Sequence, residues 1–310
     1  MVMPNFLLVG AAKAGTSAIY DYISQHPQIY MSPEKEPMFF AFEGEKPNFQ
    51  GPGDDHSAYY YSITDLETYE ALFNQVSNEV AIGEASALYL YHEQAPERIQ
   101  HYIPKVKLVM ILRHPVERAY SNFLHLVRDN REPVTDFEQA MQQEDNRIEN
   151  HWEWFWHYRH LGLYAEQIKR YLERFDRSQI KIYLYEDFVA DSDGLIRDCF
   201  EFLEVDPDFT PDTSRKVNAS GFTKNKALHS FLRQPNPIKE MVKLILPTQL
   251  GRQIKTYLHN KNLEKPQLSG ELKKQLVEDY FYDDIIELQT LIERDLSDWL
   301  ALSTVNEMTA

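Results

Sequence analysis

The segment from Asn5 to Ser17 constrains the fold of this chain more than any other part of it. It reads Asn-Phe-Leu-Leu-Val-Gly-Ala-Ala-Lys-Ala-Gly-Thr-Ser, so a short apolar run, Phe6 to Val9, meets small residues and then a hydroxyl-rich segment that begins at Thr16. This order predicts a strand, a tight turn and the first turn of a helix. At a helix N-terminus, unpaired backbone N–H groups and the helix dipole favour a bound phosphate.

The lysine of this segment has an informative position. A P-loop of a nucleotide triphosphatase, G-x-x-x-x-G-K-[ST], places its lysine directly after the second glycine. Here Lys13 comes two residues before Gly15 and lies inside the loop. The segment therefore predicts a phosphate-binding loop that is not a Walker A loop.

Strand-like and helix-like segments alternate along most of the chain. The predicted strands are Phe6–Val9, Val80–Ile82, Lys107–Leu112 and Ile180–Tyr185. The predicted helices are Thr16–Gln25, Leu66–Phe73, Val116–Arg128, Phe137–Gln143, Tyr164–Arg174 and Leu195–Leu203. Such alternation favours an α/β fold in which helices flank a central parallel sheet and ligands bind at the carboxyl ends of the strands.

The 310 residues are long for one domain and short for two. Residues 42–62 interrupt the alternation with Gly, Pro, Asp and three consecutive tyrosines, which predicts either a lid over a site or a surface insertion. The last helix is predicted to run from about Leu272 to Leu300. We expect a single domain over residues 1–310.

Composition narrows the classes of partner. The formal net charge of −16 argues against general binding to nucleic acid or to an acidic membrane surface. No apolar run approaches the length of a membrane span, and the N-terminal apolar run is too short for a signal-peptide core. The single cysteine, Cys199, precludes an intrachain disulfide and suits a reducing compartment, so we expect a cytoplasmic protein.

A second segment predicts an anion site without a metal. A buried strand ends at Arg113, Pro115 stands at the favoured first position of a helix, and Ser121 follows about two turns later. A magnesium-dependent nucleotide triphosphatase is expected to place an aspartate at the end of such a strand. Arginine and serine instead supply a planar fork of donors and a hydroxyl, although an arginine that only caps the strand end is the alternative.

Together, the two segments resemble the sulfotransferases that use 3′-phosphoadenosine 5′-phosphosulfate (PAPS), in particular the bacterial and heparan-sulfate-type branch. In that family a K-x-G-[TS] loop binds the 5′-phosphosulfate, and an R-P-x-x-R-x-x-S-like strand and helix bind the 3′-phosphate. Further matches, in chain order, are Lys35-Glu36-Pro-Met-Phe39-Phe40, Gly83-Glu84-Ala85-Ser86, Tyr185-Glu186-Asp187 and Asp295-Leu-Ser-Asp-Trp299. The resemblance spans nearly the whole chain and implies a three-layer, P-loop-like α/β fold.

The resemblance also implies the residues of the donor site. The loop at residues 218–226 is similar to the one that closes over the nucleotide in that family. The residues expected to bind PAPS, or its product adenosine 3′,5′-bisphosphate (PAP), are Lys13, Ala14, Gly15, Thr16, Ser17, Arg113, Ser121, Lys224 and Lys226.

Three residues are expected to carry the reaction. Negative charge grows on the bridging oxygen as the S–O bond breaks, and Lys13 can donate to that oxygen. By resemblance Glu36 is the general base, with Phe39 and Phe40 as apolar neighbours; otherwise it belongs to a solvated charged run. His125 lies one helical turn after Ser121 and either orients or deprotonates the acceptor, or is a satisfied core histidine.

The pattern departs from that of the 3-O-sulfotransferases. Ala85 stands where those enzymes have a lysine, and their cysteine pair is missing, which puts their substrate in doubt here. Glu84 is a candidate for aligning Lys13 or the acceptor. The aromatic segment from His151 to His160 is expected either to line an acceptor pocket or to form an amphipathic core helix.

These observations predict a metal-free sulfotransferase acting on a hydroxyl or amine. The acceptor classes left open are a small molecule, a saccharide, a lipid and a hydroxyacyl chain on a carrier protein. One alternative is a P-loop small-molecule or nucleotide kinase, which the lysine position and the missing aspartate oppose. Another is a non-catalytic nucleotide-binding module, which would be expected to lack Lys13 or Glu36.

Overall fold

The structure, a computed structural model, describes residues 2–213, 222–223, 263–264 and 267–300. The main sheet has five parallel strands in the order β2-β3-β1-β4-β5. Their bounds are β1 (Phe6–Gly10), β2 (Ile29–Met31), β3 (Ala81–Ala85), β4 (Lys107–Leu112) and β5 (Ile180–Leu184). Two further short strands, β6 (Phe222–Thr223) and β7 (Leu263–Glu264), pair with each other in antiparallel fashion.

Helices flank this sheet, as the α/β prediction requires. Over the described residues they are α1 (Thr16–Ile23), α2 (Phe39–Phe42), α3 (Leu66–Ala71), α4 (Ala95–Tyr102), α5 (Pro115–Arg128), α6 (Phe137–Gln142), α7 (Glu144–Glu149), α8 (Tyr164–Leu172), α9 (Tyr185–Ala190), α10 (Ser192–Leu203), α11 (Gly270–Tyr280), α12 (Tyr282–Ile292) and α13 (Ser297–Leu300). The predicted P-loop-like α/β fold is confirmed.

The position of β1 explains where a ligand can bind. All five residues of β1 are buried, because a central parallel strand is covered by helices on both faces. Leu8 pairs with Ala85 of β3 on one side and with Val109 of β4 on the other. Strands that follow β1 in the chain therefore lie on both sides of it in the sheet. At such a point a crevice opens at the carboxyl ends of the three central strands.

Several predicted bounds were wrong in detail. The strand predicted at Val80–Ile82 runs over Ala81–Ala85, and the three-residue β2 was not predicted. The single long helix predicted at Leu272–Leu300 is interrupted at Phe281 and again at Glu293, which has a left-handed φ of 53°. The aromatic segment at residues 151–160 is not an α-helix; it contains a 3-10 turn at Trp154–Trp156, and a second one begins at its last residue, His160.

Two kinds of feature are absent from the described residues. None of the helices in these ranges has the length and apolar character needed to cross a bilayer. The same residues contain no cluster of three or more His, Cys, Asp or Glu side chains arranged to hold a metal ion.

Candidate active site

The loop between β1 and α1 presents a set of backbone donors. Within the described part of the chain, the N–H groups of Lys13, Gly15, Thr16 and Ser17 donate no hydrogen bond. Gly15 has a φ of +105°, and a Cβ there would lie 3.2 Å from the ring of Tyr185. The sequence therefore needs glycine at this position, and the turn that it permits leaves four donors at the start of a helix, where an anion is favoured.

A cavity of about 490 Å³ opens beside this loop. The predicted site residues that line it are Lys13, Gly15, Thr16, Ser17, Glu36, Arg113, Ser121 and His125. Ala14 is fully buried and contributes to the turn through its N–H, which donates to the carbonyl of Ala11 at 3.2 Å. Lys224 and Lys226 lie outside the described residues.

Arg113 lies at the end of β4 and closes one side of the cavity. Its guanidinium lies over the ring of Tyr185 at 4.6 Å and contacts Glu117 at 3.2 Å and the carbonyl of Lys13 at 3.3 Å. Its buried Nε has no hydrogen-bond partner. Ser121, two turns along α5, adds a hydroxyl to the same lining. This pair leaves donors available for an anionic group.

The amine of Lys13 lies next to the imidazole of His125, with 3.4 Å between Nζ and Nδ1. Arg128 approaches the same Nδ1 at 2.7 Å. Since an arginine only donates, Nδ1 must accept, and the ring proton lies on Nε2, which is 3.7 Å from a carboxylate oxygen of Asp129. Burial, together with Lys13 and Arg128, lowers the pKa of His125 to about 3, so the imidazole is neutral.

The pKa of Lys13 is lowered as well, to about 7. Burial is the largest cause, and the positive charge of Arg128 is the next. The nearby carboxylate of Asp129 opposes the shift. A negatively charged ligand at the loop would therefore restore the proton of this amine, because it supplies the counter-charge that the protein withholds.

Glu36 lies on the loop between β2 and α2 and is held from three directions. Its backbone N–H donates to the carbonyl of Ala85 at 2.9 Å, and its carboxylate accepts from the N–H of Ala87 at 2.8 Å. The other carboxylate oxygen is 2.9 Å from Nζ of Lys35, which also donates to the hydroxyl of Ser17 at 3.1 Å. Lys35 thus joins the predicted base to the predicted phosphate-binding loop.

Sequence reasoning missed Lys35 as a site residue, although it directly precedes Glu36. It also placed the apolar surroundings of Glu36 incorrectly. Phe39 and Phe40 do not line the cavity, and Phe39 instead stacks on Tyr69 at 4.5 Å. Much of the apolar lining comes from side chains that are distant in sequence, among them Tyr59 and Phe155.

Glu84 is not an aligning group for Lys13. Its carboxyl group is fully buried and accepts from the hydroxyls of Tyr69 at 3.3 Å and Ser86 at 3.0 Å. Burial raises the pKa of Glu84 to about 8, so this group holds a proton at neutral pH. Glu84, a residue of β3, therefore belongs to the packed interior of the protein.

The sulfotransferase domain family matches residues 3–265, most of the chain. The chain belongs to the sulfotransferase family. This membership confirms the resemblance inferred from the loop at Lys13 and the strand end at Arg113.

Solved and curated sulfotransferases support the same assignment. A crystal structure of a sulfotransferase from Alicyclobacillus acidocaldarius shares 37% identity, covers 97% of this chain and 100% of that chain, and has a TM-score of 0.76. Human carbohydrate sulfotransferase 15 is 26% identical over 257 residues, 66% of this chain and 44% of that protein. The mouse bifunctional heparan sulfate N-deacetylase/N-sulfotransferase 4 is 29% identical over 218 residues, 67% of this chain and 23% of that protein. This sulfotransferase chain therefore spans less than half the length of these curated relatives.

Proposed function

We propose that this protein is an enzyme that transfers a sulfuryl group from PAPS to an acceptor hydroxyl or amine. The observation that carries the proposal is that Lys13 and Glu36 line one cavity, next to a loop with unpaired backbone donors. The amine of Lys13 can donate a hydrogen bond to a leaving phosphate oxygen, and the carboxylate of Glu36 can take the proton of an acceptor. The end of β4 offers Arg113 where a magnesium site would need a carboxylate.

The donor would be held by groups from two strand ends. The N–H groups of the loop, with Thr16 and Ser17, suit the 5′ end of the nucleotide, because they lie at the start of α1. Arg113 and Ser121 suit the 3′-phosphate, since a guanidinium and a hydroxyl match its oxygens. Lys224 and Lys226 remain proposed to close over the nucleotide.

The reaction needs one group that stabilises the leaving phosphate and one group that accepts the proton of the acceptor. PAPS supplies the sulfuryl group, whose bond to the phosphate oxygen breaks as the bond to the acceptor forms. Lys13 donates to the phosphate oxygen on which charge develops. Glu36 accepts the proton that the acceptor loses. The neutral His125 orients Lys13 through Nδ1, which favours an orienting role over that of a base.

We also infer that residues 1–310 form one domain, with residues 42–62 as a lid and residues 218–226 as a closing loop. Tyr59 of the first segment lines the cavity, which supports the lid. A cytoplasmic location remains a prediction from the sequence.

Calorimetric titration with PAP in EDTA tests the proposed function. Micromolar binding is expected for the wild type, with a loss of about 1.5–3 kcal/mol in Arg113→Ala, because a charged hydrogen bond is removed. Arg197→Ala is the matched control, since that side chain is 59% exposed on α10. Binding of Mg-ATP in place of PAP would contradict the proposal and favour a kinase.

A further inference from the structure

The part of the cavity next to Glu36 and His125 is lined mainly by apolar groups. Phe155 stacks on the ring of His125 at 5.7 Å between centroids, and Tyr59 packs against Phe155 at 5.6 Å. We call this part of the lining the acceptor wall. Its members are Met38, Tyr59, Ala87, Leu88 and Phe155.

Apart from Lys13, the cations around the acceptor wall have carboxylate partners. Lys35 pairs with Glu36 at 2.9 Å, and Arg128 pairs with Asp129 at 3.0 Å. Arg131 pairs with two buried carboxylates, those of Asp54 and Glu153. In the described ranges, the cation beside the acceptor wall that has no carboxylate partner is Lys13, and the proposed function assigns this amine to the phosphate of PAPS. A polyanionic acceptor is therefore offered no further unpaired cation there, and the overall charge of −16 adds repulsion at longer range.

One polar atom of the acceptor wall lacks a partner. Tyr59 is 2% exposed, and its hydroxyl makes no hydrogen bond in the structure. A buried hydroxyl without a partner is unfavourable, and such a group calls for an explanation, of which a bound ligand is one. Because Tyr59 lines the cavity, a polar atom of a bound acceptor that reaches the phenol end of this side chain would satisfy the hydroxyl.

The lid segment that carries Tyr59 is held firmly to the rest of the protein. Asp54 is buried and accepts from the N–H of Gly51 at 2.7 Å, the N–H of Glu153 at 2.8 Å and Nε1 of Trp156 at 3.0 Å. Arg131 completes its set of donors. Tyr59 is thus held in place before any ligand arrives, which reduces the entropic penalty of binding.

From these contacts we propose that the acceptor is an uncharged alcohol or phenol with an apolar body, recognised by the acceptor wall and by the hydroxyl of Tyr59. This inference rests on the proposed function and names its substrate class. The acceptor O–H bond breaks with its proton passing to Glu36, an O–S bond forms, and the bond between sulfur and the phosphate oxygen of PAPS breaks. An acidic polysaccharide would meet an apolar wall and paired cations instead.

A matched set of acceptors tests the proposal with PAPS as donor. Methyl 4-hydroxybenzoate is an uncharged phenol, methyl 4-(hydroxymethyl)benzoate is the corresponding alcohol, and 4-hydroxybenzoate carries a charge on the same ring. A heparosan oligosaccharide represents the acidic polymers. We expect a kcat/KM at least about tenfold higher for an uncharged acceptor than for 4-hydroxybenzoate or heparosan, because a charge must be desolvated against an apolar wall.

Tyr59→Phe isolates the hydroxyl. We expect it to raise the KM for methyl 4-hydroxybenzoate by about three- to tenfold, as for a lost neutral hydrogen bond, while kcat and the affinity for PAP stay the same. Tyr60→Phe should change nothing, since Tyr60 is 58% exposed. Unchanged PAP affinity also shows that the variant is folded.

The outcomes separate this inference from the proposed function. Preferential sulfation of heparosan or 4-hydroxybenzoate would overturn it, as would an unaltered KM in Tyr59→Phe. PAP binding without sulfation of either uncharged acceptor would overturn it and leave the proposed function intact. Absence of PAP binding would overturn both.

Discussion

Nζ of Lys13 and Nδ1 of His125 are 3.4 Å apart, although the two residues are separated by 112 positions in the sequence. The contact joins the loop after β1 to the middle of α5. It gives the amine a neutral acceptor, while burial and the positive charge of Arg128 lower the pKa of Lys13 to about 7 in the absence of a bound anion. The protonation of Lys13 is therefore expected to depend on the nucleotide.

Nucleotide binding should take up a proton above neutral pH. The pKa of Lys13 is about 7 in the free protein, and a bound phosphate raises it, so the amine gains a proton on binding at pH 8. The affinity for PAP should then fall by up to about tenfold per pH unit above 7, until the pKa of the complex is reached. Calorimetry in buffers of different ionisation enthalpy measures the uptake. Lys13→Met should abolish it, and a flat affinity between pH 7 and 8.5 in the wild type would contradict the assignment.

Glu36→Gln should reduce turnover without weakening the nucleotide site. Removal of a general base lowers kcat by about 10²–10⁴-fold, and the amide keeps the size of the side chain. PAP titration and sulfate transfer should be measured on the same preparation. Glu34→Gln, at an exposed position two residues earlier, is the control. Turnover that survives in Glu36→Gln would remove this residue from the mechanism.

Glu84 should make the protein less stable as the pH rises. Its pKa is about 8 in the folded state and near 4.5 when unfolded, so the folded state holds a proton between these values that the unfolded state has lost. This group therefore lowers the free energy of unfolding by up to about 1.4 kcal/mol per pH unit across that window. Urea titrations at pH 5 and pH 8 should show a smaller difference for Glu84→Gln than for the wild type. The exposed Glu67→Gln serves as control, and equal slopes in all three proteins would refute the prediction.

Gly15→Ala should be more damaging than Gly44→Ala. Both glycines have left-handed φ values, +105° and +72°, so each substitution carries a backbone penalty of about 1–2 kcal/mol. A Cβ at Gly15 also meets the ring of Tyr185 at 3.2 Å, whereas Gly44 has open space around it. Chemical denaturation measures both penalties, and PAP titration should detect weakened binding in Gly15→Ala alone. Equal effects of the two substitutions would show that crowding by Tyr185 is unimportant.

The parts of the fold that the sequence predicts well are those with strong local patterns. The apolar runs of β1 and β4 have no other reasonable environment than a buried parallel sheet, and Lys107–Leu112 was predicted to the residue. The three-residue β2 was not predicted, because so short a strand is specified by its pairing with β3. The helix breaks at Phe281 and Glu293 were not predicted either, because the apolar periodicity of the sequence continues through them.

In the candidate site, too, the residues that follow strands could be predicted from the sequence, whereas contacts between distant loops could not. Lys13 and Arg113 follow strands in the sequence, so their meeting at one edge of the sheet could be expected. The unpaired hydroxyl of Tyr59 and the link from Lys35 to Ser17 depend on loops that meet only after folding. The protonated nitrogen of His125 is likewise set by Arg128, a contact that spacing on a helix does not determine.

The left-handed backbone at Lys13 has a consequence for protein engineering. Its φ of +69° is a conformation that glycine adopts more readily, and its amine is buried close to the charges of Arg128, Arg113 and Arg118. Lys13→Gly would relieve both the backbone strain and the charge repulsion. A library selected for heat resistance alone would therefore enrich glycine at this position and lose the proposed chemistry, so thermostabilisation of this protein has to hold residue 13 fixed.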